Sequence, residues 1–308
     1  MSDPPQSSIV FRPVIDKTTG SNPLVSIGIP IYNEERYLEQ SIGSLLAQDY
    51  KNLKLIISDN ASIDGTEGIC REMLQLDGRI DYRRMERNHG AAENFRRVLE
   101  LADGKYFMWA SGHDLWQSNF VTECVKLLER EPEAVIAFGS SNWIDALGNP
   151  MRGTSGWTDT RGMENIARFH ALLWGNMHPI LGLIRTEALH KTRNVLSTAG
   201  ADLILLSELI LQGHFVHAVE TSLSRREIRA NENYQQRMAR YSGQEYGLSR
   251  SFLGRLAPLL RLPVELVRSV LRSRMSVPEK LLLIFSLIPV LPAKYLVTKS
   301  RQSKIGKH

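Results

Sequence analysis

Between residues 24 and 139 the sequence alternates short apolar, β-branched runs with amphipathic stretches, and this rhythm limits the fold more than any other feature. Leu24–Ile31 (LVSIGIPI) and Leu53–Ile57 read as strands buried on both faces. Ile80–Arg83, Lys105–Ala110 and Ala134–Gly139 read as three more strands. Between them, Leu38, Ile42, Leu45 and Leu46 share one helical face, with Glu34 and Glu35 placed in the first turn. Ile69, Cys70, Met73 and Leu74 mark a second helix. A third runs through Ala91, Phe95, Val98, Leu99 and Ala102 and is closed by Gly104, and Phe120–Leu128 makes a fourth. Such β-α alternation predicts an α/β fold, with a mostly parallel twisted sheet flanked by helices.

With 43% apolar and 23% charged residues in 308, the chain is a folded protein rather than a disordered one. Only Cys70 and Cys124 occur, which excludes a disulfide scaffold and a Cys-based zinc site; both fall on apolar helical faces and read as core. The first 25 residues hold no apolar run, so no signal peptide is expected, and residues 1–23 read as a flexible arm.

Open α/β sheets bind ligands at the carboxyl ends of their strands, so the residues just after each strand are the informative ones. No G-x-G-x-x-G and no phosphate loop stands at any strand end, which argues against dehydrogenase and P-loop chemistry. Instead Pro30, Tyr32, Asn33 and Glu34 follow the first strand, Asp59 the second, and Ser111-Gly112-His113-Asp114 a later one. A Tyr32 ring could stack on a nucleobase, and Asp59 could accept from an imide N–H. A His113–Asp114 pair could hold Mg²⁺ or Mn²⁺ on phosphates, the imidazole favouring Mn²⁺. Each has a plainer reading: Tyr32 as loop packing, Asn33 as a helix N-cap, Asp59 as a turn former.

Three stretches in order, PLVSIGIPIYNEERYLEQSIGSLLAQ, IISDNASIDGT and RNHGAAENFRRVLELADGKYFMWASGHD, resemble the nucleotide-binding half of a family-2 glycosyltransferase with the GT-A fold. The resemblance covers residues 24–145 and continues more loosely through ILGLIRTEAL, GADLILLSELILQGHF and SLSRRE. It implies a nucleotide-sugar half at 24–145 and an acceptor half of the same domain, set at 146–250, and falls silent beyond about residue 229; the segment 251–308 reads from its own residues as a helical tail, basic and apolar. The resemblance also implies an inverting, metal-dependent transfer from a UDP- or dTDP-linked sugar to a glycan or lipid-linked acceptor. By motif, Tyr32 and Asp59 would hold the base, Glu34 would lie near the ribose or support its loop, and Asn88 would touch the nucleotide. His113-Asp114 occupies the D-x-D position, with Asp114 the metal ligand and His113 either a second ligand or its neighbour. An acid is usual where this chain has His113, a departure that bears on metal affinity.

An inverting transfer needs a carboxylate to take the acceptor's proton. Asp202, at the start of an apolar helix over Leu203–Leu211, is the candidate base, with an ordinary N-cap as its plainer role. Glu208 is the reserve, or else the partner of a nearby cation. Arg225-Arg226 could meet the diphosphate or a charged acceptor, although the histidine of the family's Arg-Arg-x-His is absent. His170 and His178 read as structural or rim residues.

The net charge of +5 is unevenly placed: residues 254–308 hold 11 Lys/Arg against 2 Asp/Glu, the remainder 27 against 31. Nucleic acid is therefore not the expected partner. In that tail, Leu281–Ala293 is uncharged but interrupted by Pro289 and Pro292, and as a helix would span about 20 Å, short of the ~30 Å hydrocarbon core. An anionic membrane surface fits its flanking lysines, and packing on the domain or in a homo-oligomer is the alternative. The expected setting is cytoplasmic and peripheral to the inner membrane face, in polysaccharide or cell-envelope biosynthesis. Two rivals stand beside this reading: a catalytically weak sugar-nucleotide-binding protein, which His113 suggests, and a nucleotidyltransferase, which should show a basic loop after the first strand where this chain has YNEERY.

Overall fold

Seven successive residues of the type VSIGIPI bury their side chains fully only in a strand covered on both faces. Val25–Ile31 (β1) does this, flanked in parallel by Leu53–Asp59 (β2) and Tyr106–Trp109 (β4), with Ile80–Arg84 (β3) parallel on the far side of β2. The computed structural model describes residues 22–155, 159–175, 178–196, 198, 200–228 and 252–305. The arm expected at 1–23 lies outside them except for its last two residues.

Beyond β4 the sheet continues through Leu183–Arg185 (β8), Ala134–Ile144 (β6), His214–Arg226 (β9) and Leu115–Trp116 (β5), with Pro150–Ser155 (β7) paired to β6. β8 is antiparallel to both β4 and β6, and β5 is antiparallel to β9, while β6 and β9 run parallel. The sheet is therefore mixed: parallel throughout its first four strands and only in part thereafter. Sequence rhythm finds the long parallel strands; β5 and β8, with two and three residues, exist through their neighbours.

Two apolar clusters cover the faces. On one, Leu38–Leu46 (α1), Thr66–Leu76 (α2) and Phe120–Arg130 (α4) pack on Val25, Ile27, Ile29 and Ile31; Cys70 and Cys124 are core residues here, as expected. On the other lie Ala91–Glu100 (α3), Asn165–Trp174 (α5) and Ala201–Ile210 (α7), with Thr186–His190 (α6) at the edge. Gly28 lets α3 approach the sheet: a Cβ there would sit 2.7 Å from Val98 and 2.8 Å from Phe107.

Phe252–Arg272 (α8) and Val277–Ile305 (α9) form a further layer, Leu266, Val270, Leu283 and Leu287 completing the second cluster. The expected interruption at Pro289 and Pro292 does not occur; α9 continues through both. Both prolines are exposed, so the carbonyls of Phe285 and Ile288, which lose an N–H partner, lie on the side open to solvent. α9 is tied to α5 by His170 Nε2, 2.9 Å from Ser286 Oγ, and by the Lys294 ammonium on the Leu173 carbonyl. Among the described residues no helix is long and apolar enough to cross a membrane.

Candidate active site

β1 and β2 end in register, Ile31 beside Asp59, so the loops that follow them meet. Short polar side chains clasp the two. Asn33 is left-handed, at φ 54°, its N–H donating to Ser62 Oγ (2.9 Å) and its Oδ1 accepting from Ile63 N–H (3.0 Å). Glu34 N–H donates to Thr66 Oγ1 (2.9 Å), and Glu35 Oε2 accepts from Gly65 N–H (2.6 Å). Asn33 is thus no N-cap: α1 starts at Leu38 with Tyr37 before it, and Glu34 and Glu35 precede the helix rather than filling its first turn.

Tyr32 stands exposed at this rim, and Pro30 is half-buried in β1 opposite Ser58. Asp59 is wholly buried: Oδ1 accepts from Ser62 N–H (2.8 Å), Oδ2 from Tyr82 OH (2.9 Å), and Arg84 Nε lies 3.5 Å away. Burial and this carboxylate push the Tyr82 phenol far above its ordinary range. Asp59 does form a turn through its side chain, beneath the loop where Asn33 and Ser62 meet. Asn88 Oδ1 accepts from Asn60 Nδ2 and from Gly90 N–H, both at 2.8 Å, fixing the start of α3. Buried Asn94 on α3 donates to the carbonyls of Ile31 (3.1 Å) and Ser58 (2.9 Å), joining all three elements. Asn60, Ser62, Thr66 and Asn94 escaped the sequence reading; the run of short polar residues after β2 was the available signal.

The loop after β4 crosses the same rim. His113 Nδ1 lies 3.0 Å from Glu34 Oε2, and since an ionised carboxylate only accepts, the ring donates here through Nδ1, leaving Nε2 on its other side. Asp114 is almost fully buried, its Oδ1 accepting from Arg226 N–H (2.8 Å). β5, directly after Asp114, pairs with the end of β9 and brings these residues to Arg226. Arg226 is not free to meet a diphosphate. Its Nε donates to the His113 carbonyl (3.1 Å), Nη1 to those of Asp145 and Ala146 (both 3.2 Å) and Nη2 to Gln40 Oε1 (3.3 Å). The guanidinium lies over the Tyr37 ring at 4.4 Å, and Arg225 over Trp143 at 4.5 Å.

α7 packs against α5, α8 and β6 and is followed directly by β9; its N-terminus, with Asp202 in the first turn, begins at Gly200, where a Cβ would meet Leu262 of α8. Gly200, at φ 76°, holds the cap position, so Asp202 is a first-turn residue rather than the N-cap. Glu208, near the other end of α7, is buried against Arg193: the Arg193 N–H donates to Oε2 (2.7 Å), and the guanidinium also meets Glu265 of α8. It braces α7 on α8, the cation-partner role rather than that of a base. His178 is buried edge-on to Phe138, and burial, with Arg225 and His217 adding, pushes its ring down to about 3. His178 and His170 are structural.

Among the described residues no group of three or more His, Cys, Asp or Glu side chains could by itself hold a metal. What the rim offers is Asp114 Oδ2, which accepts no hydrogen bond among the described residues, and His113 Nε2 beside it in the chain. That donor set suits a hard cation held jointly by protein and ligand oxygens.

The sequence model of glycosyl transferase family 2 matches residues 26–192, more than half the chain. The chain belongs to glycosyl transferase family 2. Among family members, it is 34% identical over 125 residues to the Bacillus subtilis glycosyltransferase TuaG, named for teichuronic acid biosynthesis; the match covers 41% of this chain and 48% of TuaG. It is 26% identical over 126 residues to the glycosyltransferase GlyG of Streptococcus pneumoniae, covering 41% and 42%. The chain therefore spans less than half the length of either relative. In fold it is similar to residues 1–349 of Staphylococcus aureus TarS with UDP-GlcNAc, at TM-score 0.65 and 14% identity over 87% of this chain and 72% of that one. It is also similar to the Pyrobaculum calidifontis mannosyltransferase PcManGT with GDP-Man and Mn²⁺, at TM-score 0.53 and 16% identity over 92% and 81%. The GT-A fold that the resemblance implied is the observed one.

Proposed function

We propose that this chain transfers a glycosyl group from a nucleoside-diphosphate sugar, with inversion, onto a hydroxyl of a glycan or lipid-linked acceptor. The observation that carries this reading is the convergence of Glu34, His113 and Asp114 on the rim where Tyr32 stands exposed; Asp202, in the first turn of α7, is the acid that the family resemblance assigns as base. The neighbours bound to UDP-GlcNAc and GDP-Man support the donor class, and the name of TuaG supports an envelope polysaccharide as acceptor.

In this mechanism Tyr32 stacks on the base, preferably uracil or thymine. Asp59, buried with Ser62 N–H, Tyr82 OH and Arg84 around its carboxylate, supports the base pocket from beneath the loop. Pro30, Asn33 and Asn88 shape the floor beneath the nucleotide. Asp114, with His113 in support, would hold Mg²⁺ or Mn²⁺, which supplies charge stabilisation to the departing diphosphate. Glu34 fixes the His113 tautomer through Nδ1. Asp202 takes the proton of the acceptor hydroxyl as it attacks the anomeric carbon from the face opposite the leaving group.

The test is a thermal-shift series with UDP, dTDP and GDP, with and without Mn²⁺, followed by turnover of the sugar nucleotide that binds. Asp202→Asn should leave the melting temperature and nucleotide binding intact while turnover falls on the order of 10²–10⁴-fold. Near-normal turnover in that variant would remove Asp202 from the mechanism. Nucleotide binding with no metal-dependent turnover in the wild type would support a sugar-nucleotide-binding protein instead.

A further inference from the structure

α9 is apolar on two opposite faces, and only one is covered. Leu283 and Leu287 are buried, with Ile284, Val290 and Leu291 packed beside them. The opposite face carries Leu281, Leu282, Phe285, Ile288 and Leu296, 51–68% exposed. Their spacing places them on a single stripe. Trp174, half-exposed at the end of α5, is next in the chain to Leu173, whose carbonyl Lys294 of α9 holds. Among the described residues nothing covers this stripe, and a row of large exposed apolar side chains marks an interaction surface.

Charge selects the partner. After Glu279 the sequence holds six Lys/Arg and no Asp or Glu. At the start of the stripe, Arg272 and Arg274 are exposed on the turn from α8. Two copies apposed through this face would bring like charge against like, with no acid from residue 280 onward to relieve it. We propose that the outer face of α9 docks on an anionic lipid bilayer, lying in the plane of the headgroups. An apolar stripe flanked by cations is what such a surface takes. The carbonyls released by Pro289 and Pro292 fit this depth, since the headgroup layer still supplies water where the hydrocarbon core does not. The inference rests on α9 and the residues beside it and stands apart from the transfer reaction.

The test is co-sedimentation of the full chain with phosphatidylglycerol-containing vesicles and with phosphatidylcholine vesicles. The wild type should bind the anionic vesicles, lose binding as salt rises, and bind the neutral ones weakly. The double variant Phe285→Glu, Ile288→Glu should partition roughly tenfold less or worse at unchanged melting temperature. If that variant fails to fold, Leu281→Gln with Leu282→Gln serves in its place. Indifference of the wild type to anionic vesicles at low salt, or undiminished binding by the folded variants, overturns the proposal. So does a concentration-dependent dimer that ignores vesicles and dissociates on the same substitutions, which would give the face to a second copy.

Discussion

The rim of this site is assembled by two opposite strategies. On the nucleotide side, the loops after β1 and β2 leave adjacent parallel strands, so Asn33, Ser62, Asp64, Thr66 and Glu35 reach one another directly. The load is spread over many bonds, most of them to backbone N–H groups. On the other side, β9 is separated from β1 by β4, β8 and β6. One buried residue, Arg226, carries much of the bridge back: its N–H meets Asp114, and its guanidinium touches Tyr37, Gln40, His113, Asp145 and Ala146. A distributed clasp should tolerate the loss of one member; a single keystone should not.

The sharpest way to break this contrast is at the keystone. Arg226→Met leaves several carbonyls and Gln40 without their donor in a buried place, and should cost about 3 kcal/mol in urea unfolding. Arg225→Ala, which removes a half-buried cation over Trp143, should cost under about 1 kcal/mol. Equal losses would show that Arg226 is not the member bearing the load.

A pH titration sharpens the same comparison, because His178 packs on Phe138 of β6, the strand that pairs with β9. Its folded value, about 3, lies below the ordinary 6.5, so between these limits the unfolded chain binds a proton that the folded one refuses. Stability is therefore full above about pH 6.5 and falls as pH drops below it, with a limiting slope of about 1.4 kcal/mol per pH unit for one proton. Burial lowers His170 and His217 in the same sense, so they add to the acid loss. His178→Gln should reduce the slope between pH 6.5 and 5 relative to wild type, measured by melting temperature. An unchanged slope would mean the ring is accessible.

What could be read from sequence follows the same division. β1, β2 and β4 are long enough for their side chains to declare two-sided burial, and the candidate residues trail those strands in order. β8, with three residues, carries no such signature, and neither does the pairing of β5 with β9. Arg226 reads as a ligand-facing cation because nothing local reveals that its partners lie 80 and more residues away in the chain. The prolines of α9 read as breaks because sequence does not show which side of a helix faces solvent. Asp59 and Asn33 stand at the strand ends as their order in the sequence implies, while the turns and clasps they form there depend on β1 and β2 ending in register.

The smallest expected effect tests the distributed side. Asn33 contributes two separable things: a left-handed backbone at φ 54°, and a side-chain oxygen bonded to Ile63 N–H. Asn33→Gly keeps the first and loses the second, so it should cost about 0.5–1 kcal/mol, the net worth of one hydrogen bond. Asn33→Ala loses both, and the Cβ penalty in the left-handed region adds about 1 kcal/mol. The neighbouring bonds from Glu34 to Thr66 and from Gly65 to Glu35 survive in either variant and keep the loops together. Urea unfolding should therefore order the variants wild type, Gly, Ala, with both above Arg226→Met. If Asn33→Ala proves as costly as Arg226→Met, the nucleotide side hangs on one residue too. The contrast between the two halves of the rim would then fail.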